Sequence, residues 1–77
     1  MLSVESYRQI ASYISEVCDY SECLCNNVEN LAKADGQRWR EISLRDVQDA
    51  AKHITATIEK IVNVCSNEVS DSVQASR

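Results

Sequence analysis

Two apolar stripes with a seven-residue period run along this chain, one on each side of Gly36, its single glycine. In residues 3–34 an apolar side chain returns every seven residues, and these side chains define heptad position d: Ile10, Val17, Leu24 and Leu31. Positions b, c and f of the same segment are nearly all polar. A sustained seven-residue period is typical of a helix and does not fit a strand. The pattern therefore predicts one long helix over residues 3–34.

A second stripe follows in residues 44–74. Its d positions are Val47, Ile54 and Ile61, and its a positions are Leu44, Ala51, Ile58 and Cys65. Ser43 precedes this stripe and Asp46 lies three residues later, which is the spacing of a helix-capping pair. We therefore predict a second helix over residues 44–74 with a frayed C-terminus. The connection is predicted over residues 35–43, with Gly36 in the left-handed conformation that ends a helix.

Two helices and a short connection predict an all-α fold, an antiparallel two-helix hairpin that forms a single domain over residues 1–77. A two-helix seam needs only positions a and d, but positions e and g are apolar as well in the middle of the first helix. These additional residues are Tyr13, Cys18, Tyr20 and Cys25. So wide a stripe needs neighbours on two sides, which predicts a four-helix bundle formed by dimerisation or with a partner's helices. The alternative is a hairpin that leaves its tyrosines partly exposed.

The short chain favours association. A domain of 77 residues buries little apolar surface, and small chains add disulfides, a metal or a partner to compensate. The expected partner is a second copy, in a homodimer, or another helical protein. The residues predicted to form the interface are Tyr7, Tyr13, Ile14, Val17, Cys18, Tyr20, Leu24, Cys25, Ile58, Val62, Cys65 and Val69.

The four cysteines have a spacing that favours neither a metal site nor a disulfide. On a helix Cys23 and Cys25 point in nearly opposite directions, so they cannot hold one metal ion together. A Cys18–Cys65 disulfide stays open, because a hairpin centred near residue 39 places these two residues at a marginal axial offset. We expect Cys18, Cys25 and Cys65 to be small buried apolar residues and Cys23 to be exposed.

Candidate catalytic residues are few. His53 is the only histidine, and it lies at position c on the polar side of the second helix. A Cys–His pair would need Cys25 to face away from its own stripe. We therefore predict no catalytic, cofactor or metal site, and no enzyme activity.

Trp39 lies in the predicted connection, between Arg38 and Arg40. Trp and Arg are frequent in binding hot spots, so these three residues are a possible partner contact. The interpretation we favour is a lid, in which the indole packs over the open end of the hairpin against apolar residues of both helices.

The charge pattern narrows the class of partner. The formal net charge is −4 and no basic block is present, so nucleic acid binding is not expected. No apolar run approaches the roughly 18 residues that a membrane-spanning helix needs. The N-terminal residues lack the charged and apolar regions of a secretion signal. The expected location is cytoplasmic, and export without such a signal stays open.

These features predict a non-enzymatic helical interaction module, such as an adaptor, a chaperone or a regulator. The plan resembles three groups of small bacterial proteins: secreted helical hairpins with a Trp-x-Gly turn, plasmid copy-control hairpin dimers that bind RNA, and small acidic chaperones of specialised secretion systems. In this chain the order Gly36-Gln37-Arg38-Trp39 stands where that turn would be. A nucleic-acid-binding hairpin dimer and a secreted hairpin are therefore the alternative functions.

Overall fold

A computed structural model of the chain describes the backbone of residues 2–75 and the side chains of residues 2–70. Within that part, helix α1 (Val4–Lys33) and helix α2 (Gln37–Ala75) pack against each other in antiparallel directions. The hairpin is a thin rod of 62 × 17 × 12 Å. The predicted all-α hairpin is confirmed, and the four-helix bundle stays a prediction. The C-terminal residues predicted to fray, 70–77, are helical as far as Ala75, and residues 76 and 77 lie outside the described part.

Helix α1 begins and ends with local signals that the sequence contains. Ser3 is its N-cap, in an extended conformation, and the Ser3 hydroxyl accepts a hydrogen bond of 3.1 Å from the backbone N–H of Ser6. Glu5 in the first turn and Lys33 in the last turn each complement the helix dipole. At the C-terminal end the backbone N–H of Ala34 donates to the carbonyl of Leu31.

The connection between the helices is only three residues long, Ala34 to Gly36, so the predicted connection over residues 35–43 is wrong. Gly36 has a φ of 93°, in the left-handed region predicted for it. Helix α2 starts directly afterwards, since the backbone N–H of Arg40 donates to the carbonyl of Gly36. Ser43 is therefore no helix cap; it lies inside α2, half-buried against α1. Residues 37–43 contain no glycine or proline, so nothing in them stops a helix from forming.

The contact between the two helices, which we call the hairpin seam, uses heptad positions d and g. The seam positions of α1 are Ser6, Ile10, Tyr13, Val17, Tyr20, Leu24, Asn27 and Leu31, and those of α2 are Ser43, Val47, Ala50, Ile54, Thr57, Ile61, Val64 and Glu68; all are buried or half-buried. We expected positions a and d, and this is a correction. The small side chains of Ala50 and Thr57 are nearly inaccessible to solvent and leave room for tyrosines at the g positions of α1.

The core of the single hairpin is small. Among the described side chains only Ile10, Ala50 and Thr57 are buried. The Thr57 hydroxyl donates to the carbonyl of His53 at 2.9 Å, so it is satisfied within its own helix. A radius of gyration of 17.7 Å compares with about 11 Å for a compact domain of this length.

Candidate functional site

The surface of the hairpin is unusual in the number of large apolar side chains that it exposes. Eleven large apolar side chains in the described part of the chain are exposed. Eight of them occupy heptad positions a and e: Val4, Tyr7, Ile14, Val28, Leu44, Ile58, Val62 and Val69. Single exposed apolar residues are normal, but a contiguous set of them marks an interaction site.

These side chains belong to a second stripe on each helix, with the same alternating spacing of three and four residues as the seam. We call the two stripes together the docking face. In α1 it comprises Val4, Tyr7, Ala11, Ile14, Cys18, Ser21, Cys25, Val28 and Ala32, and in α2 Leu44, Gln48, Ala51, Thr55, Ile58, Val62, Cys65 and Val69. All are exposed in the single hairpin except Ser21 and Cys65, which are half-buried.

Both stripes of the docking face lie on one side of the hairpin. With about 100° between successive residues, the a/e stripe of each helix lies about 100° around the axis from its d/g stripe, in the same rotational sense. Because the two helices run in opposite directions, these two equal rotations carry the stripes to the same side of the rod. The result is one broad apolar face.

The opposite side of the rod carries aromatic and polar contacts between the helices. The rings of Tyr20 and His53 stack with centroids 4.5 Å apart and 6° between their planes, and the Lys60 ammonium lies 5.7 Å from the centre of the Tyr13 ring. Further along, the Asn27 side-chain amide donates to the backbone carbonyl of Asp46 at 3.3 Å.

These three contacts also define the register of the hairpin. From Tyr13 to Tyr20 to Asn27, each step of seven residues forward along α1 moves the contact seven residues back along α2. The register is therefore constant along the seam, and Cys18 lies at the level of Thr55.

The structure divides the predicted interface residues between the two surfaces. Tyr13, Val17, Tyr20 and Leu24 are half-buried in the hairpin seam. The residues of the set that lie on the docking face are Tyr7, Ile14, Cys18, Cys25, Ile58, Val62, Cys65 and Val69. The prediction omitted Val4, Val28 and Leu44, although Val28 and Leu44 stand at position a in the heptad pattern and could have been included on that ground.

The burial of the cysteine side chains differs from the prediction. All four are free, and Cys18 and Cys25 are exposed rather than buried, because position e faces away from a d/g seam. Cys65 is half-buried, and Cys23 is exposed as predicted. The constant register places Cys65 ten residues from the level of Cys18. That distance is about 15 Å along the helix, too far for a disulfide within one chain.

Trp39 is not a lid, and this too is a correction. Because α2 begins at Gln37, Trp39 lies in the first turn of the helix and its side chain is 63% exposed. It lines a shallow groove at the turn end of the rod together with Lys33 and Asp35. Arg38 and Arg40 beside it are exposed, so a partner contact at this end stays a prediction.

A small polar cluster lies at the end of the hairpin seam remote from the turn. The Ser3 hydroxyl donates to the Glu68 carboxylate at 3.0 Å, and the Ser6 hydroxyl donates to the same oxygen. These hydrogen bonds, first from Ser6 and then from Ser3, hold the pKa of Glu68 below its ordinary value of 4.5 because they stabilise the charged carboxylate.

Two further observations concern the described residues alone. No three His, Cys, Asp or Glu side chains in the described part converge in an arrangement that could hold a metal ion. Neither α1 nor α2, over its described length, is long and apolar enough to cross a membrane.

Comparisons of this chain with models of known protein families, with curated proteins and with solved structures find no match.

Proposed function

We propose that this chain is a non-enzymatic helical interaction module whose docking face packs against apolar helices of a partner. The observation that carries the proposal is the continuous 3–4 spacing of apolar residues on both helices, on the side of the hairpin that no part of the described chain covers. Helices recognise one another through stripes of this spacing.

The surface of the single hairpin supports the proposal. A compact monomer of 8.7 kDa is expected to expose about 4,700 Å², whereas this hairpin exposes 6100 Å². The excess is on the order of 1,400 Å², which is more than the roughly 800 Å² that each partner contributes to a standard protein–protein interface. The docking face extends over roughly 40 Å of the rod, at 1.5 Å per residue, and the rod is 17 Å broad.

The proposed mechanism is mutual burial of apolar surface. Each a/e side chain would enter a gap between four side chains of the facing helix, as in four-helix bundles. Burying the half-exposed large side chains would supply the apolar area that the small core lacks, at about 25 cal/mol per Å². The proposed module would then function as an adaptor, chaperone or regulator through what it assembles with.

The test compares two isoleucines of similar exposure on α2. Ile58 is 46% exposed on the docking face, and Ile42 is 40% exposed at position f on another side of the helix. Wild type, Ile58→Glu and Ile42→Glu are compared at low micromolar and near-millimolar concentration. Mass is measured by sedimentation, and exposed apolar surface by the fluorescence of an anilinonaphthalene sulfonate dye.

We expect wild type either to exceed the mass of one chain or to bind the dye as a monomer. Ile58→Glu should lose whichever property wild type has, and Ile42→Glu should keep it. A wild type that stays monomeric, binds no dye and behaves like both variants would refute the proposed function.

A further inference from the structure

We infer that the docking face is covered by a second copy of this chain, bound with the two turns at opposite ends of a four-helix bundle. This inference rests on the proposed function and specifies its partner. Three observations carry it: the size of the face, the charges along its rim, and the distribution of large and small side chains over its length.

The docking face needs a partner of matching length. The docking face runs for roughly 40 Å along the rod, at 1.5 Å per residue, so a partner must present an apolar face of the same length to cover it. A second hairpin has such a face with the same heptad spacing. It also has the same excess of exposed surface, so one association would remove the excess from both copies.

Position b forms the outer rim of the docking face on each helix. Along α1 the rim reads Arg8, Ser15, Glu22 and Glu29, and along α2 it reads Arg45, Lys52, Glu59 and Ser66. Each rim therefore carries both signs of charge. On α1 the positive charge is remote from the turn and the negative charges are nearer to it, and on α2 the order is reversed. A rim of this kind can face a copy of itself without placing like charges together.

With the turns at opposite ends, α1 lies on α1 of the second copy and α2 on α2, both antiparallel. A twofold axis at the level of Cys18 and Thr55 then sets Arg8 against Glu29 of the second copy, and Lys52 against Glu59 of the second copy. The remaining rim charges, Glu22 and Arg45, meet serines. Every rim residue thus faces an opposite charge or a neutral side chain.

The sizes of the docking-face side chains distinguish a dimer with its turns at opposite ends from one with both turns at the same end. Large side chains are concentrated in the half of the face remote from the turn, where Tyr7, Ile14 and Ile58 lie. The half near the turn holds mostly small or polar ones, such as Ser21 and Ala51. Helices pack well where large side chains face small ones.

With turns at opposite ends, a large side chain meets a small one in the two layers beside the twofold axis, whereas Tyr7 meets Val28 of the second copy further out. Ile14 meets Ser21 of the second copy and Ile58 meets Ala51 of the second copy. With turns at the same end, Ile14 would meet Ile58 and Ser21 would meet Ala51, so one of these central layers would hold two large side chains and the other two small ones, and Val28 would meet Leu44 further out. Rim charges would be satisfied in either case, so packing is what selects opposite ends.

The first experiment uses the cysteine on the twofold axis. In the full chain with Cys23, Cys25 and Cys65 changed to serine, Cys18 should face Cys18 of the second copy. A mild copper–phenanthroline oxidant would take two electrons and two protons from the two thiols. The product should be a disulfide-linked dimer on a non-reducing gel.

The matched control keeps Cys25 as the only cysteine, which is also exposed but faces Ala11 of the second copy. It should stay monomeric on the gel, and Ala11→Cys in that background should restore the cross-link. A same-end dimer would instead cross-link Cys18 only when Thr55→Cys is added, and that result would overturn the inferred arrangement while leaving the proposed function in place.

The second experiment is a charge exchange. Arg8→Glu should raise the dimer dissociation constant about tenfold or more, because two ion pairs become repulsive. Adding Glu29→Arg should restore it, since the pair is re-formed with reversed sign. If the double variant is weaker still, Glu29 faces a base and the opposite-end arrangement is wrong.

The failure of this inference can be told apart from the failure of the proposed function. A near-millimolar wild type that is monomeric, yet binds the apolar dye in a manner lost in Ile58→Glu, would overturn the homodimer and leave a different helical partner for the face. A monomer that binds no dye would overturn both. Circular dichroism of each variant verifies that its helices are retained.

Discussion

The hairpin seam and the docking face are two stripes built from the same kinds of residue, and they differ in what covers them. Both follow the 3–4 spacing along both helices, and both combine branched aliphatic, aromatic and small side chains. The seam is buried or half-buried by the other helix, whereas the docking face is exposed in the single hairpin. One of the two stripes has its partner inside the chain, and the other has none within the part of the chain that the structure describes.

A heptad pattern shows which positions of each helix are apolar, but it does not show which of those positions pack against each other. The stripe spans positions a, d, e and g, and the midpoint of that set is the direction in which the core of a four-helix bundle would lie. A hairpin alone can cover only half of the set. It covers the d/g half, where tyrosines of α1 face small residues of α2 such as Ala50 and Thr57.

The largest expected effect is at the most buried large side chain of the seam. Ile10 is 9% exposed, and Ile10→Ala should lower the free energy of unfolding by about 2–5 kcal/mol. For a chain this small, that loss would leave much of it unfolded at room temperature. Thermal melting followed by circular dichroism measures it, with Ile10→Val as the conservative control at about 0.5–1.5 kcal/mol. An unchanged melt in Ile10→Ala would mean that the seam is misplaced.

The second largest effect is expected at the turn, whose backbone conformation fixes how the two helices meet in the seam. Gly36 has a φ of 93°, and nothing lies within 4 Å of a Cβ built there, so a side chain would be strained by backbone conformation and not by a clash. Gly36→Ala should cost about 1–2 kcal/mol of stability, and Gly36→Asn less, because asparagine tolerates the left-handed region. Chemical denaturation of the two variants gives the comparison. Equal stabilities for alanine, asparagine and glycine would contradict this turn geometry.

The docking face should respond differently from the seam. Ile14 is 50% exposed, so Ile14→Ala removes only about half a buried side chain, roughly 1 kcal/mol, in an isolated hairpin. If a second copy covers the face, the loss in melting temperature should grow with protein concentration, because association stabilises only wild type. Melts of both proteins over a wide concentration range provide the measurement. The loss in melting temperature caused by Ile10→Ala should not grow with protein concentration, because Ile10 is covered within one chain.

The smallest effect is expected at the end of the rod, where Glu68 joins α2 to Ser3 and Ser6. Because its pKa is lowered in the folded hairpin, the charged carboxylate favours folding. This contribution should be complete above the ordinary pKa of 4.5 and be lost as the pH falls through the lowered value. Glu68→Gln should therefore melt slightly below wild type at neutral pH and together with it in acid. A difference that persists in strong acid would assign the effect to packing instead.

Some parts of the molecule could be read directly from residues. The seven-residue apolar period indicated a first helix from about residue 3, and the lone Gly36 indicated the left-handed turn, because both signals are local. The start of α2 was misread because Ser43 and Asp46 have the spacing of a cap. That spacing does not distinguish a helix start from two polar residues inside a longer helix.

The cysteines and Trp39 were misjudged for a different reason. Their burial depends on which side of each helix meets the other, and this follows from the turn length and the register. A connection three residues long begins α2 at Gln37, which puts Trp39 in its exposed first turn. It also brings Cys18 level with Thr55 and far from Cys65.

The sequence by itself determined that this chain forms two amphipathic helices joined at Gly36, with more apolar surface than one hairpin seam can bury. Periodicity and composition are properties of each helix alone, so they can be read without knowing the partner. Only the tertiary structure decided that positions d and g form the seam and that positions a and e of both helices share one exposed side. That choice depends on how the side chains of two helices fill the space between them, which no single helix specifies.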